Sequence, residues 1–73
     1  MNESMNVTGE RLKELRQALG LSKTQVAEQL GLMMSSYYTY EKQGRALPYS
    51  IAMQIARYYD VDVAYILGET DEK

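Results

Sequence analysis

The stretch "QVAEQLGLMMSSYYTYEK", residues 25–42, constrains the fold more than any other part of the chain. Small Ala27 stands four residues before Gly31. A small side chain lets the following segment approach a helix closely, and glycine accepts the left-handed backbone of a sharp turn. Val26, Leu30, Leu32, Tyr37 and Tyr40 supply apolar contacts on both sides of the bend. The spacing predicts two short helices packed closely across a tight turn.

The flanking segments read the same way. "TGERLKELRQALG" carries Leu12, Leu15 and Leu19 on one helical face, with Thr8 as its expected N-cap. "SKTQVAEQLG" opens with Ser22 and has Gln25 three residues on, a capping-box pattern. Pro48 suits the first position of a further helix, "PYSIAMQIARYY", with Ile51, Ile55 and Tyr58 or Tyr59 facing inward. Asp62 suits the cap of a short last helix, "DVAYILG". Gly20, Gly31, Gly44 and Gly68 each follow a helix-like segment, where a left-handed helix-ending residue belongs. Five helices are expected, near residues 8–19, 22–29, 34–43, 48–58 and 62–67. No stretch alternates long enough to suggest a sheet, so the expected class is a compact all-α domain. Residues 1–7 read as an N-terminal tail, 8–68 as the domain and 69–73 as an acidic C-terminal tail.

Composition narrows the function. The 73 residues suit one small domain with a modest core. Cysteine and histidine are both absent, which rules out disulfides and speaks against a zinc site. No metal, cofactor or small-molecule ligand is evident in the sequence. The chain also offers no Cys or His nucleophile or base, no Gly-rich phosphate loop and no paired carboxylates, so an enzyme is not expected. No apolar run approaches the roughly 18 residues of a membrane span, and "MNESMNVTGE" lacks the regions of a signal peptide. A cytoplasmic protein is expected. The net charge of -2 hides an uneven distribution. Arg11, Lys13, Arg16, Lys23, Lys42, Arg45 and Arg57 outnumber Glu14, Glu28 and Glu41 in the middle, while both ends are acidic. A basic middle segment is compatible with a nucleic-acid partner, but charge alone favours the reading of an ordinary solvated surface.

From Arg11 to Gly68 the chain resembles the lambda-repressor-like, Cro-type helix-turn-helix family of transcriptional regulators, in its xenobiotic-response-element branch. The matching pieces are "RLKELRQALGLSKTQVAEQLGL", "YYTYEKQGRALP" and "IARYYDVDVAYILGETD", in order and at the right spacing. The resemblance implies a five-helix domain whose helices 2 and 3 form the helix-turn-helix, with helix 3 in the major groove of double-stranded DNA. It implies a sequence-specific transcriptional regulator, expected to be a repressor and a homodimer. On a helical wheel Tyr37 and Tyr40 lie on the inner side of helix 3. Ser35, Tyr38, Thr39 and Lys42 lie on the outer side, with Met34 on the flank. The resemblance makes Met34, Ser35, Tyr38 and Thr39 the base readers. It makes Ser22, Lys23, Gln25, Lys42, Gln43 and Arg45 the phosphate contacts. Arg16 and Glu41 each sit on the rim of an apolar stripe, where a charge needs a partner. The resemblance pairs them as a structural ion pair.

Three features depart from the family pattern. Met33 stands where a Ser or Thr usually caps helix 3, so a later start with Ser35 as substitute cap is an alternative. Gly44 and Pro48 each sit one residue later than is common, which bears most on the loop contacts of Arg45. With only six residues after Leu67, self-association is expected to use the domain itself, through helix 5 and its surroundings, with Tyr65 either an anchor for the second copy or, equally, packed on its own domain. A second functional reading stays open: a helix-turn-helix reused as a protein-interaction module, for which Met and Tyr side chains on helix 3 are suited.

Overall fold

Leu12, Val26, Tyr37, Ile55 and Ile66 are the largest fully buried side chains, and each comes from a different helix. The structure, a computed structural model, describes residues 6–73; residues 1–5, most of the expected N-terminal tail, lie outside the described residues. The elements are α1 (Val7–Ala18), α2 (Lys23–Leu30), α3 (Met34–Lys42), a short 3-10 turn (Gly44–Ala46), α4 (Tyr49–Tyr59) and α5 (Val63–Ile66). The described residues hold no strand, as the periodicity predicts. Burying one Leu, Ile or Val side chain stabilises by about 1.5–3 kcal/mol, so a common core drawn from every helix makes each element depend on the others. No helix among the described residues is long and apolar enough to cross a membrane.

Local chemistry explains most of the boundaries. Ser22 Oγ accepts from Gln25 N–H while the Gln25 side chain accepts from Ser22 N–H, the reciprocal capping box. Gly31 ends α2 at φ 71°, and the N–H of Leu32 reaches back to the Ala27 carbonyl at 2.9 Å. This left-handed residue lets α3 turn sharply away from α2 while Ala27, almost fully buried, admits it closely. Asp62 caps α5 through its bond from Ala64 N–H.

Five local expectations are corrected. Asn6, not Thr8, caps α1, because its amide reaches more partners: Oδ1 accepts from Gly9 N–H at 3.2 Å and from Gly44 N–H at 2.7 Å. Leu19 is not in the core but 63% exposed, since α1 ends at Ala18 and the chain turns there. Gly44 does not end a helix with positive φ; it is buried against α1, where an added Cβ would lie 2.5 Å from Thr8 Cβ and 2.7 Å from Gly9 N. Pro48 is the N-cap of α4 rather than its first residue, with extended backbone at ψ 147° and a carbonyl that accepts from Ala52 N–H. Met33 occupies the N-cap of α3 with no side-chain bond, and Ser35 lies inside the helix rather than capping it.

The last residues fold back onto α1. Arg11 donates through Nη1 to the carbonyls of Tyr65 and Thr70, each at 2.6 Å, and through Nη2 to Asp71 at 2.7 Å. Asp62 N–H donates to the Lys73 carbonyl. Tyr65, the candidate anchor for a second copy, is only 6% exposed. Its ring packs in the core of its own domain, with the Arg11 guanidinium 4.3 Å from the ring centre. That ring is therefore not free for a partner.

Candidate nucleic-acid interface

The inner side of α3 is held by a buried polar cluster. Arg16 of α1 donates to Glu41 of α3 through Nε at 2.7 Å and Nη2 at 3.2 Å. Tyr37 Oη, one turn earlier on α3, donates to Glu41 Oε2 at 2.6 Å. The remaining Arg16 nitrogen, Nη1, donates to the Leu21 carbonyl at 2.9 Å. The two-pronged geometry suits a planar guanidinium facing a carboxylate. The Glu41 hydrogen bond holds the Arg16 guanidinium above its ordinary value, although burial works against it. Burial, and then the bond to Glu41, pushes the Tyr37 hydroxyl well above the usual phenol range. Tyr59 Oη is buried with no hydrogen-bond partner among the described residues, and burial pushes it up to about 12. These charges fasten α3 to α1 from behind and leave its other side to the solvent.

That other side carries Met34, Ser35, Tyr38, Thr39 and Lys42, all exposed. Met33, just before it, is 73% exposed. The hydrogen-bonding capacity of this face is smaller than its sequence suggests. Thr39 Oγ1 donates to the Ser35 carbonyl one turn back at 3.0 Å, which engages its proton inside the helix. Thr24 Oγ1 of α2 donates to Met34 Sδ at 3.0 Å and so steadies the thioether. Lys23 Nζ sits 4.6 Å from the centre of the Tyr38 ring, a cation–π contact that joins the start of α2 to the middle of α3.

The side chains expected to meet phosphates fall into two groups. Ser22 Oγ and Gln25 Oε1 are used as acceptors in the capping box, but the Ser22 hydroxyl proton and the Gln25 amide N–H groups remain available to donate. Lys23 and Lys42 line one cleft together with Asn6, Glu10, Lys13, Tyr38 and Thr39. Gln43, exposed, ends α3. Arg45 stands apart: it lies in the 3-10 turn and lines a different cleft, beside Thr8 and Glu69. Sequence reasoning missed Lys13, whose place in the first cleft depends on how α1 crosses α3. It also missed Asn6, whose amide nitrogen donates to the carbonyls of Glu41 at 2.8 Å and Lys42 at 3.0 Å. The signal for Asn6 was present in its residue type, a strong N-cap two positions before Thr8. Among the described residues no group of acidic side chains is placed to hold a metal ion.

Known proteins share this arrangement at the level of sequence. A family model described as a helix-turn-helix domain matches residues 8–65. The uncharacterized HTH-type transcriptional regulator YobD of Bacillus subtilis is 44% identical over 63 residues, which cover 86% of this chain and 56% of that protein. The uncharacterized HTH-type transcriptional regulator YqaE of the same organism is 34% identical over 65 residues, covering 88% and 56%. The HTH-type transcriptional regulator ImmR, also from Bacillus subtilis, is 30% identical over 63 residues, covering 86% and 50%. The chain thus spans about half the length of these relatives. No solved structure matches it. The chain belongs to the helix-turn-helix family.

Proposed function

From that membership we propose that the domain is a sequence-specific, double-stranded DNA-binding transcriptional regulator, acting as a repressor, that lays α3 in the major groove. The observation that carries the reading is the exposed face of α3, clamped from behind by Arg16–Glu41 and bordered by Lys23 and Lys42. In helix-turn-helix docking the second helix of the pair enters the groove and its N-terminal part meets the base edges. Met34, Ser35, Tyr38 and Thr39 then face bases. Ser22, Lys23, Gln25, Lys42 and Gln43 border them and meet phosphates, and the exposed Arg45 reaches a phosphate beyond the end of α3. Catalysis has no part in this role, and its place is the cytoplasm.

Self-association follows from the two-fold symmetry of paired half-sites. The groove between α4 and α5 suits it: Met53, Ala56, Val61 and Val63 line it, with Arg57 and Asp60 beside them. One cation and one anion on the same patch can pair reciprocally across a two-fold axis. Sedimentation at high protein concentration, with and without duplex, is expected to show a dimer; a monomer in both removes the interface.

Titration of a selected duplex and a random duplex across salt tests DNA binding. Lys42→Ala is expected to weaken both about equally and to lower the salt slope by about one counterion. Tyr38→Ala or Thr39→Ala is expected to lose roughly 1–3 kcal/mol on the selected duplex, with far less loss on the random one. The exposed Met33 and Met34 favour a second reading, docking onto another protein. That reading takes over if all three variants bind both duplexes as the parent does while losing a protein partner.

A further inference from the structure

The base-reading face of α3 is chemically unusual in what it leaves unengaged. A side chain that distinguishes bases by hydrogen bonds needs free donors and acceptors, and the most discriminating pairs are two-pronged, from Arg, Asn or Gln. None of these stands on the outer face between Met33 and Thr39. The Thr39 proton is engaged with the Ser35 carbonyl, so Thr39 turns its remaining capacity, a γ-methyl and oxygen lone pairs, outward. Met33 and Met34 are 73% and 46% exposed at the leading end of the helix. An N-cap side chain that bonded the helix end would hold a polar group there, but Met33 makes no such bond. The Met34 sulfur is steadied by Thr24. The outer face of the helix therefore presents thioethers and a methyl group at its leading end and middle, with free hydroxyls only on Ser35 and Tyr38.

The major groove offers one apolar feature that varies with sequence, the C5-methyl group of thymine. We propose that α3 reads its site chiefly through pyrimidine C5-methyl groups, packed against Met33, Met34 and the Thr39 γ-methyl. The ligand class is then a duplex with thymine at the positions facing the start of α3. This rests on the reading of α3 as a major-groove helix. It adds Met33 to the reading set and assigns the specificity to methyl contact rather than to hydrogen bonding. Thioethers suit the task because unbranched, polarizable side chains adapt to a methyl without a fixed geometry.

The test removes the methyl groups alone. A duplex recovered from a random pool by binding selection is compared with the same duplex carrying deoxyuridine in place of every thymidine. Base pairing and hydrogen-bonding edges are unchanged. The parent protein is expected to bind the deoxyuridine duplex more weakly, by about fourfold for each methyl that packs on a side chain. The double variant Met33→Ala, Met34→Ala is expected to keep only the discrimination of about fourfold due to the Thr39 γ-methyl, with a melting curve close to the parent's because both side chains are exposed. Met33→Leu, Met34→Leu is expected to keep the discrimination, since it keeps the apolar surface. Equal binding of both duplexes by the parent, with its sequence preference intact, overturns methyl reading and leaves DNA recognition standing. Undiminished discrimination in the alanine variant also overturns it, because the methyls would then be acting through duplex shape. A pool that yields no preferred sequence overturns both this inference and the reading beneath it.

Discussion

Along α3, Tyr37 and Tyr38 are neighbours in sequence with opposite surroundings: the first is fully buried and bonded to Glu41, the second is 45% exposed beneath Lys23. The same division runs down the helix. Glu41 meets Arg16 and Tyr37, whereas Lys42 next to it faces solvent. On the inner side, the Tyr37 hydroxyl and the Glu41 carboxylate have partners supplied by the fold. Met33, Met34 and Tyr38 on the outer side bring apolar surface into water, and the cap that would steady the helix start is missing. The comparison teaches that one nine-residue helix can be fixed firmly by one face while the other stays largely exposed, touching α2 only lightly through Thr24–Met34 and Lys23–Tyr38. A surface exposed in this way can take on recognition without loss of the fold.

Glu41→Ala should have the largest effect. It strands the Arg16 guanidinium among buried groups, at a cost of roughly 3–5 kcal/mol. Thermal melting is expected to fall steeply, at about 4–8 °C per kcal/mol for a chain of this size. Tyr38→Ala on the outer face is expected to stay within about 0.5 kcal/mol of the parent. Similar melting temperatures for the two variants would break the comparison.

Asn6→Ala should come next, at about 2 kcal/mol, the upper end for a lost N-cap, because the same amide also holds the end of α3. Denaturant unfolding measures it; a loss of only a few tenths would show that the clasp does not support the inner face.

Alkaline pH probes the same face without mutation. Tyr37 and Tyr59 are both held above the ordinary phenol value of 10, Tyr59 at about 12. The folded chain keeps these protons after the unfolded chain has begun to release them. Their contribution is therefore complete below pH 10 and fades as pH rises through about 12. Melting at stepped pH is expected to show this decline, shallower between pH 10 and about 12 in Tyr59→Phe because only Tyr37 then contributes.

Met33→Ser should have the smallest effect and the opposite sign. It supplies the absent cap of α3 and is expected to stabilise by about 1 kcal/mol. A melting temperature that fails to rise would show that the helix start gains nothing from a cap.

The helix count and the turn at Gly31 were legible because they rest on local chemistry: caps at Ser22 and Asp62, a left-handed glycine and an apolar period. The helix-turn-helix family was legible for the same reason, as an ordered set of such local pieces. Errors came where one residue type serves two purposes. Gly44 looked like the other helix-ending glycines, yet close packing against Thr8 and Gly9, rather than its own dihedral angle, explains it. The sequence leaves Tyr65 open between an anchor and its own core, because the contacts that settle it, the core cluster and Arg11 54 residues away, are not adjacent in sequence. For the candidate interface, residue types showed which side of α3 is polar. They did not show that Thr39 bonds back to Ser35 or that Lys23 reaches Tyr38, since both depend on side-chain direction and helix crossing.

The Asn6 amide joins residues 35 to 38 positions apart. Closing a loop of that length costs entropy before any contact is returned, while helices and the turn at Gly31 form from near neighbours. The clasp therefore closes late on the way to the native state and opens early on the way out. A residue whose contacts form after the rate-limiting barrier changes the escape rate and not the entry rate. The lifetime of the last turn of α3, where Lys42 and Gln43 stand, is in this sense timed from the opposite end of the domain. Stopped-flow traces for Asn6→Ala would show faster unfolding at an unaltered refolding rate.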